Sequence, residues 1–261
     1  MVLCKEEVMG FMYNRISSDS MGIKTRMSTE NRIPDIRNLT DKIAGKNGIF
    51  DFGETFSERE ISIVCFIPPG KTDKELQSVK DKINEWLNPE NGVKPLILDV
   101  APDRLYYARL KDGFSYERIV RNTGTFELTF FCPDPFAYAV DDEVFSITHS
   151  ANITRNKGNY ESAPLYQITG LLLDDSESIR ISINGESMEV VGPLLNGETM
   201  VIDADNMTAK IVDGSGNTRN ALGQMKTLEF PHLKAASNSI TIGVTKGSLS
   251  LLKINANSRW L

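Results

Sequence analysis

Histidine, cysteine and surplus basic charge are all scarce in this chain. Only two histidines, His149 and His232, occur in 261 residues. Neither lies in a spaced ligand set, so a histidine-rich metal centre is excluded by count. A Ser-His-Asp triad would need a serine presented on a sharp elbow, and no G-x-S-x-G motif occurs. The three cysteines, Cys4, Cys65 and Cys132, are odd in number and far apart. That argues against a disulfide framework or a zinc site. Cys65 and Cys132 lie in apolar runs and read as buried free thiols. Acidic residues outnumber basic ones, 35 to 29, for a net charge of −6. Gripping nucleic acid takes clustered Lys and Arg that displace counterions, so that role is disfavoured. An acidic wall repels phosphate, so letting nucleic acid pass unbound remains open. No apolar run approaches the roughly 18 residues of a membrane span. The N-terminal MVLCKEEVMGF carries Glu6 and Glu7 and lacks a signal-peptide core. The expectation is a chain made in the cytoplasm without an export signal, with no cofactor, no resident metal and no membrane partner.

Aromatics are scarce as well, but only in the second half. Phe145, Tyr160, Tyr166, Phe230 and Trp260 are the five that follow Tyr138. The change comes after the most informative stretch, Gly124 to Tyr138. There Phe126, Leu128, Phe130 and Cys132 alternate with Thr125, Glu127, Thr129 and Phe131, the period of a strand with one buried face. Pro133 and Pro135 cannot donate to a sheet ladder and end the strand. Phe136 and Tyr138 follow on a rigid exit, and the acidic run Asp141, Asp142, Glu143 comes next. These shifts place a boundary near residue 140, giving domains 1–140 and 141–261.

The first half mixes strands with one helix. Ile61, Ile63, Cys65 and Ile67 mark a strand that Pro68, Pro69 and Gly70 end. Thr72 and Glu75 form a T-x-x-E capping box. Leu76, Val79, Ile83, Trp86 and Leu87 then recur at helical spacing and give one apolar stripe. Asn88-Pro89 stops this helix, Asn91-Gly92 turns, and Pro95–Val100 and Leu105–Lys111 read as further strands. The segment before Ile61 reads as loop-rich, broken by Gly45, Gly48 and Gly53.

The second half reads as β throughout. Ile179, Ile181 and Ile183 lead to Asn184-Gly185, a strong hairpin signal, and Met188 and Val190 return. Met200 and Ile202 turn at Asp205-Asn206 and return through Ala209 and Ile211. Ile240, Ile242 and Val244 and then Leu249 and Leu251 are expected to pair around Lys246-Gly247. Short strands at this spacing suggest a β-sandwich. The fold class is therefore mainly β with one principal helix.

The sites that imitate chemistry fail on detail. Gly70-Lys71-Thr72 sits where a phosphate-binding loop would be, but the full motif needs glycine where Cys65 stands, inside the strand. Pro69 also has no N–H to offer a phosphate. Asp203, Asp205 and Asn206 resemble the start of a calcium loop, yet Met207 takes the next ligand position and no glycine follows. A hairpin turn explains them better. The clusters Asp174-Asp175 and Asp141-Asp142-Glu143 read as solvated loop charge. A pair of catalytic carboxylates could come from anywhere in the fold, but nothing singles one out. No catalytic residue is assigned, and the chain is expected not to be an enzyme.

Several segments together resemble the distal tail proteins of long, non-contractile-tailed bacteriophages. They are Ser20-Met21-Gly22-Ile23, Ile43 to Gly48, Arg59 to Ile63, the helix ending Trp86-Leu87, Leu105 to Arg109, and Phe126 to Tyr138 with its Cys132-Pro133-Asp134-Pro135. In the second half, Asn156 to Pro164 and Thr199 to Asp203 resemble that family's second domain. No long insertion interrupts the second half, unlike larger members with an extra carbohydrate-binding module. The resemblance implies an N-terminal α+β ring-forming domain and a galectin-like β-sandwich. It also implies a homohexameric ring between the tail tube and the tail-tip hub. The second domains would point outward, where they can carry receptor-binding proteins. DNA would pass through the channel without specific binding. The location implied is the virion tail, assembled in the host bacterial cytoplasm.

A closed ring needs two different patches on one subunit that fit each other. The glycine-broken segment from Thr40 to Glu58 carries Ile49, Phe50, Phe52 and Phe56 with too little periodicity for a core element. Two readings stand: an arm or hairpin packed on a neighbouring subunit, or a loop folded over its own core. Other functions remain to be weighed. A carbohydrate-binding host-attachment module needs exposed aromatics to stack on sugar rings. Tyr160, Tyr166, Phe230 and Trp260 are the candidates, with Tyr166 expected in the core and Trp260 at a chain end where order is often lost. A wall hydrolase lacks a catalytic signature. A hub or tube protein would differ in symmetry.

Overall fold

The computed structural model describes residues 10–30, 33–113, 117–120 and 123–261. Cys4 and the N-terminal acidic pair fall outside them. The chain divides into two compact units, Met1–Val140 with Leu261 and Asp141–Trp260.

The first unit runs β1 (Phe11–Tyr13), β2 (Ile16–Ser17), β3 (Lys24–Glu30), β4 (Ile36–Asp41), β5 (Phe50–Phe56), β6 (Arg59–Ile67) and α1 (Asp73–Trp86). It continues with β7 (Lys94–Leu98), β8 (Arg104–Leu110), β9 (Glu117–Val120), β10 (Thr123–Cys132) and β11 (Ala137–Ala139). Its main sheet has the order β2-β1-β7-β8-β10-β6-β3, with β9 also on β10 and β11 also on β8. Strand β6 alternates without a break, and Ile61, Ile63, Cys65 and Ile67 are buried. It pairs antiparallel with β10, Phe126 opposite Cys65 and Phe130 opposite Ile61. Cys65 and Cys132 are buried and outside any disulfide, and burial pushes the Cys65 thiol far above its ordinary range.

Helix α1 starts as its sequence dictates. The Thr72 hydroxyl accepts the Glu75 amide at 3.3 Å, and the Glu75 carboxylate accepts the Thr72 amide at 2.8 Å. The apolar stripe closes on the sheet at its C-terminal end, where Ile83, Trp86 and Leu87 are buried. Trp86 stacks on Phe11 at 5.6 Å and donates its indole N–H to the Tyr13 carbonyl at 3.0 Å. A buried indole thus keeps its polar atom satisfied while its ring fills the core.

The exit after β10 is fixed by three polar contacts. Asp134 accepts the Phe136 amide at 3.0 Å and the Tyr138 hydroxyl at 2.5 Å, and Arg59 donates to the Pro135 carbonyl at 2.7 Å. The segment before Ile61 holds more strand than its sequence suggested. The β3 sequence, KTRMSTE, is largely polar and forms an edge strand, where one ladder suffices and alternation is not demanded. Among the described residues, strands β4 and β5 pair only with each other.

The second unit holds β12 (Val144–Ile147), β13 (Ala151–Arg155), β14 (Leu165–Leu171), β15 (Ser178–Ile183), β16 (Glu186–Val191) and β17 (Thr199–Asp203). Then come β18 (Thr208–Val212), β19 (Thr218–Asn220), β20 (Ala236–Thr245) and β21 (Ser248–Asn255). They form two sheets, β12-β21-β14-β17-β18-β19 and β13-β20-β15-β16. Buried side chains from both sheets, among them Tyr166, Ile168, Ile202 and Ile254 from one and Ile179, Ile181, Met188 and Ile240 from the other, form one core.

One expected pairing is overturned. β20 and β21 do not form a hairpin around Lys246-Gly247; they belong to different sheets. The tight Lys246-Gly247 turn, with φ of 52° and 62°, is a corner that carries the chain from one sheet to the other. A Cβ on Gly247 would lie 2.5 Å from the Leu171 carbonyl oxygen, so the corner packs against β14. Alternation reports that a segment is a strand; it does not report which strand pairs with it.

Candidate assembly surface

Among the described residues, strands β4 and β5 form a hairpin of their own, a two-stranded sheet. Its base is closed by the Ser57 amide on the Asp35 carbonyl at 2.7 Å. The Phe56 ring meets Phe136 edge-on at 6.3 Å. From that base the register runs Ile36 opposite Phe56 and Asn38 opposite Glu54, then jumps to Thr40 opposite Asp51 and Asp41 opposite Phe50. Phe52 and Gly53 together oppose Leu39, so one extra residue sits in β5. Gly53 has φ 96°, a region costly for a residue with a Cβ, and its amide donates to the Asp51 carboxylate at 3.0 Å.

The bulge decides which way the aromatics face. A one-residue slip moves every later side chain to the opposite face. Phe56 therefore shares a face with Ile36 at the base, while Phe50 and Phe52 share the other face with Leu39 and Asp41. Phe52 is 69% exposed, Ile49 55% and Phe50 36%. Lys46 places its ammonium 3.7 Å from the centre of the Phe50 ring. Of the four residues singled out by sequence, Ile49, Phe50 and Phe52 are exposed and Phe56 holds the base. Sequence reading missed Leu39, Ile36 and Ile43, which are 39%, 52% and 55% exposed. The β4 sequence, IRNLTD, has no alternation that could have flagged Ile36 and Leu39, and Ile43 lies in the connection beyond it.

The remaining candidates have local explanations. At Gly70-Lys71-Thr72 the Thr72 amide is already bonded to Glu75, so it is not aimed at a ligand. Asp203 accepts the amides of Asp205 and Asn206, each at 3.0 Å, in the turn between β17 and β18. His149 bonds its neighbour Thr148 at 3.1 Å, and the His232 amide donates to Glu186 at 3.2 Å. Tyr166 is fully buried and donates its hydroxyl to the Pro231 carbonyl at 2.6 Å. Phe145 and Phe230 pack against the same core. Tyr160 lies under the Arg259 guanidinium, and Trp260 sits half-buried in the short strand Arg259–Trp260 rather than in a frayed end.

The loop Asn156 to Pro164 is the centre of a polar clamp. Burial opposes ionisation of Glu143, yet amides of Lys157 and Asn156, each at 2.9 Å, hold its carboxyl below the usual range. Arg155 is buried and donates to Ser162 and to the Tyr160 carbonyl, and Ser162 donates onward to the Ala256 carbonyl at 2.6 Å. A Cβ on Gly158 would meet the Arg259 backbone at 2.6 Å. These residues tie the two ends of the second unit's chain together.

An α+β sheet unit with a projecting hairpin and a two-sheet β unit define a two-unit scaffold without an assigned catalytic cluster. Residues 19–132 match the family model described as the phage tail protein RIFT-related domain. The resemblance to phage distal tail proteins thus rests on the first unit's sequence and on the whole chain's fold. The Dit protein of phage SPP1, described as a paradigm of the hub adsorption apparatus in phages infecting Gram-positive bacteria, superposes with a TM-score of 0.76 at 16% identity. That match covers 98% of this chain and 100% of that one. A chain of the phage p2 baseplate in its activated conformation with strontium matches with a TM-score of 0.50 at 10% identity, over 96% and 99% of the two chains. At these identities the matches establish a shared fold. No curated protein matches the chain significantly.

Proposed function

We propose that this chain is a non-catalytic structural protein of a phage tail tip. Six copies close a ring that joins the tail tube to the tail-tip hub. Residues 1–140 form the ring. Residues 141–261 form a galectin-like sandwich that projects outward and can carry receptor-binding proteins. The protein would be assembled in the host cytoplasm and reside in the virion tail. DNA would pass through the channel, and the net charge of −6 suits a passage that must not grip phosphate.

The observation that carries this reading is the exposed apolar face of the β4–β5 hairpin on a unit matching a phage tail domain. A two-stranded hairpin alone is marginal in water. Exposing Phe50, Phe52 and Leu39 on one is economical only if a partner covers them. The sugar-binding alternative gains no support from the second unit, whose five aromatics are buried or half-buried.

Light scattering of the purified full chain, with negative-stain imaging, tests the proposal. The expected result is the mass of six chains and six-fold rings with a central hole. A stable trimer would point instead to a hub protein.

A further inference from the structure

The sequence holds four Asn-Gly pairs: Asn47-Gly48, Asn91-Gly92, Asn184-Gly185 and Asn196-Gly197. In such a pair the asparagine side chain can be attacked by the next backbone nitrogen, which glycine leaves unhindered. Attack needs two freedoms. The side chain must turn toward the next amide, and the backbone torsion between the two residues must swing to meet it. The fold grants these freedoms unequally.

Asn184 donates its side-chain amide to the Asn238 side-chain oxygen at 2.8 Å and accepts the Ser239 amide at 3.1 Å. Both ends of its side-chain amide are thereby held. At Asn91 the attacking nitrogen is held instead, since the Gly92 amide donates to the Pro89 carbonyl at 3.0 Å. Asn196 and Gly197 are the central pair of a turn closed by the Glu198 amide on the Leu195 carbonyl at 3.0 Å, and that closure fixes the torsion between them. Asn47 lies in the connection between β4 and β5, past the turn that the Lys46 amide closes on the Ile43 carbonyl at 3.2 Å. Asn47 and Gly48 are both exposed, and among the described residues neither makes a hydrogen bond.

We propose that Asn47 is a site of spontaneous modification, where the folded chain deamidates faster than at its other three Asn-Gly pairs. The Gly48 nitrogen gives up its proton and attacks the Asn47 side-chain carbonyl carbon. The bond from that carbon to the side-chain nitrogen breaks, and ammonia leaves with the proton. Solvent water then opens the cyclic imide at either carbonyl, giving aspartate or isoaspartate. Nothing is oxidised or reduced. Either product adds one negative charge to a chain already at −6. The new carboxylate arises beside Lys46, whose ammonium lies 3.7 Å from the centre of the Phe50 ring. Isoaspartate also routes the main chain through the former side chain and lengthens the β4–β5 connection by one backbone atom. The inference stands apart from the ring reading and needs only the folded chain.

The test is timed incubation of the purified full chain at mildly alkaline pH, then digestion and mass spectrometry of the four Asn-Gly peptides. Isoaspartate is read separately, by methyl transfer from an isoaspartyl methyltransferase. Asn47 is expected to convert about tenfold faster than Asn91 and Asn184, whose reaction waits on local opening, with Asn196 between. In concentrated urea the four rates are expected to converge, because the holding contacts are gone. Asn47→Gln is expected to remove most of the early methyl acceptance. Equal rates in the folded chain, or any of the other three sites leading, would overturn the proposal. So would a rate order that urea leaves unchanged, because flanking sequence rather than the fold would then set it.

Discussion

The β4–β5 hairpin and the β15–β16 hairpin are built from the same antiparallel pairing and bury their apolar side chains to opposite extents. In β15–β16, the two-residue Asn184-Gly185 turn, with φ of 53° and 100°, joins strands whose Ile179, Ile181, Ile183, Met188 and Val190 are all fully buried. Its backbone pairs on one side with β20, and its side chains form the sandwich core. In β4–β5, the connection spans residues 42–49, a glycine bulge turns the aromatics over, and Phe52 stays 69% exposed. Antiparallel pairing alone therefore says little about stability; what matters is whether the apolar face finds a partner within its own unit. The first hairpin folds the second unit. The other leaves Phe50, Phe52 and Leu39 exposed on one face, the surface proposed above for assembly.

Substitutions can break this contrast. The largest effect is expected in the buried hairpin: Ile181→Ala should cost about 3 kcal/mol through lost burial and a cavity, read as a lower urea midpoint. Next is the corner between sheets. Gly247→Ala puts a Cβ against Leu171 and Leu172 at positive φ and should cost about 2 kcal/mol in the same assay.

A smaller effect is expected on the outer face of β15–β16, where Glu189 accepts hydrogen bonds at 2.6 Å from both Lys226 and Arg180. These hold its carboxyl well below its ordinary 4.5, at about 2. The two cations are largely exposed, so Glu189→Gln should cost only about 1 kcal/mol at neutral pH. A depressed carboxylate contributes its full stability above the ordinary value and loses it as pH falls toward the folded one. The gap between Glu189→Gln and parent should therefore close between pH 4.5 and about 2 in acid-denaturation curves. Smallest of all, Phe52→Ala in the exposed hairpin should change monomer stability by less than about 0.5 kcal/mol.

Much of the architecture was legible because it is written in short-range patterns. The alternation of Phe126 to Cys132, the Thr72–Glu75 capping box and the Asn184-Gly185 turn each act within a few residues, and each appears in the fold. What failed was long-range. Ile240–Val244 and Leu249–Leu251 read as partners, yet Gly247 sends them to different sheets, a choice made by packing against Leu171. The polar β3 was invisible because an edge strand needs no alternating face. At the candidate surface, Phe50 and Phe52 stood out by their apolarity. The bulge that separates them from Phe56 did not, because Gly53 reads equally well as a loop breaker. Leu39 gained its meaning only from its register opposite Phe52.

The most direct measurement is the native mass and thermal unfolding of the Phe50→Asp, Phe52→Asp double variant beside the parent chain. The expected result is a monomer that unfolds at nearly the parent monomer's temperature, against six-membered rings for the parent. Rings that persist in the variant would contradict the claim that this hairpin is the assembly surface.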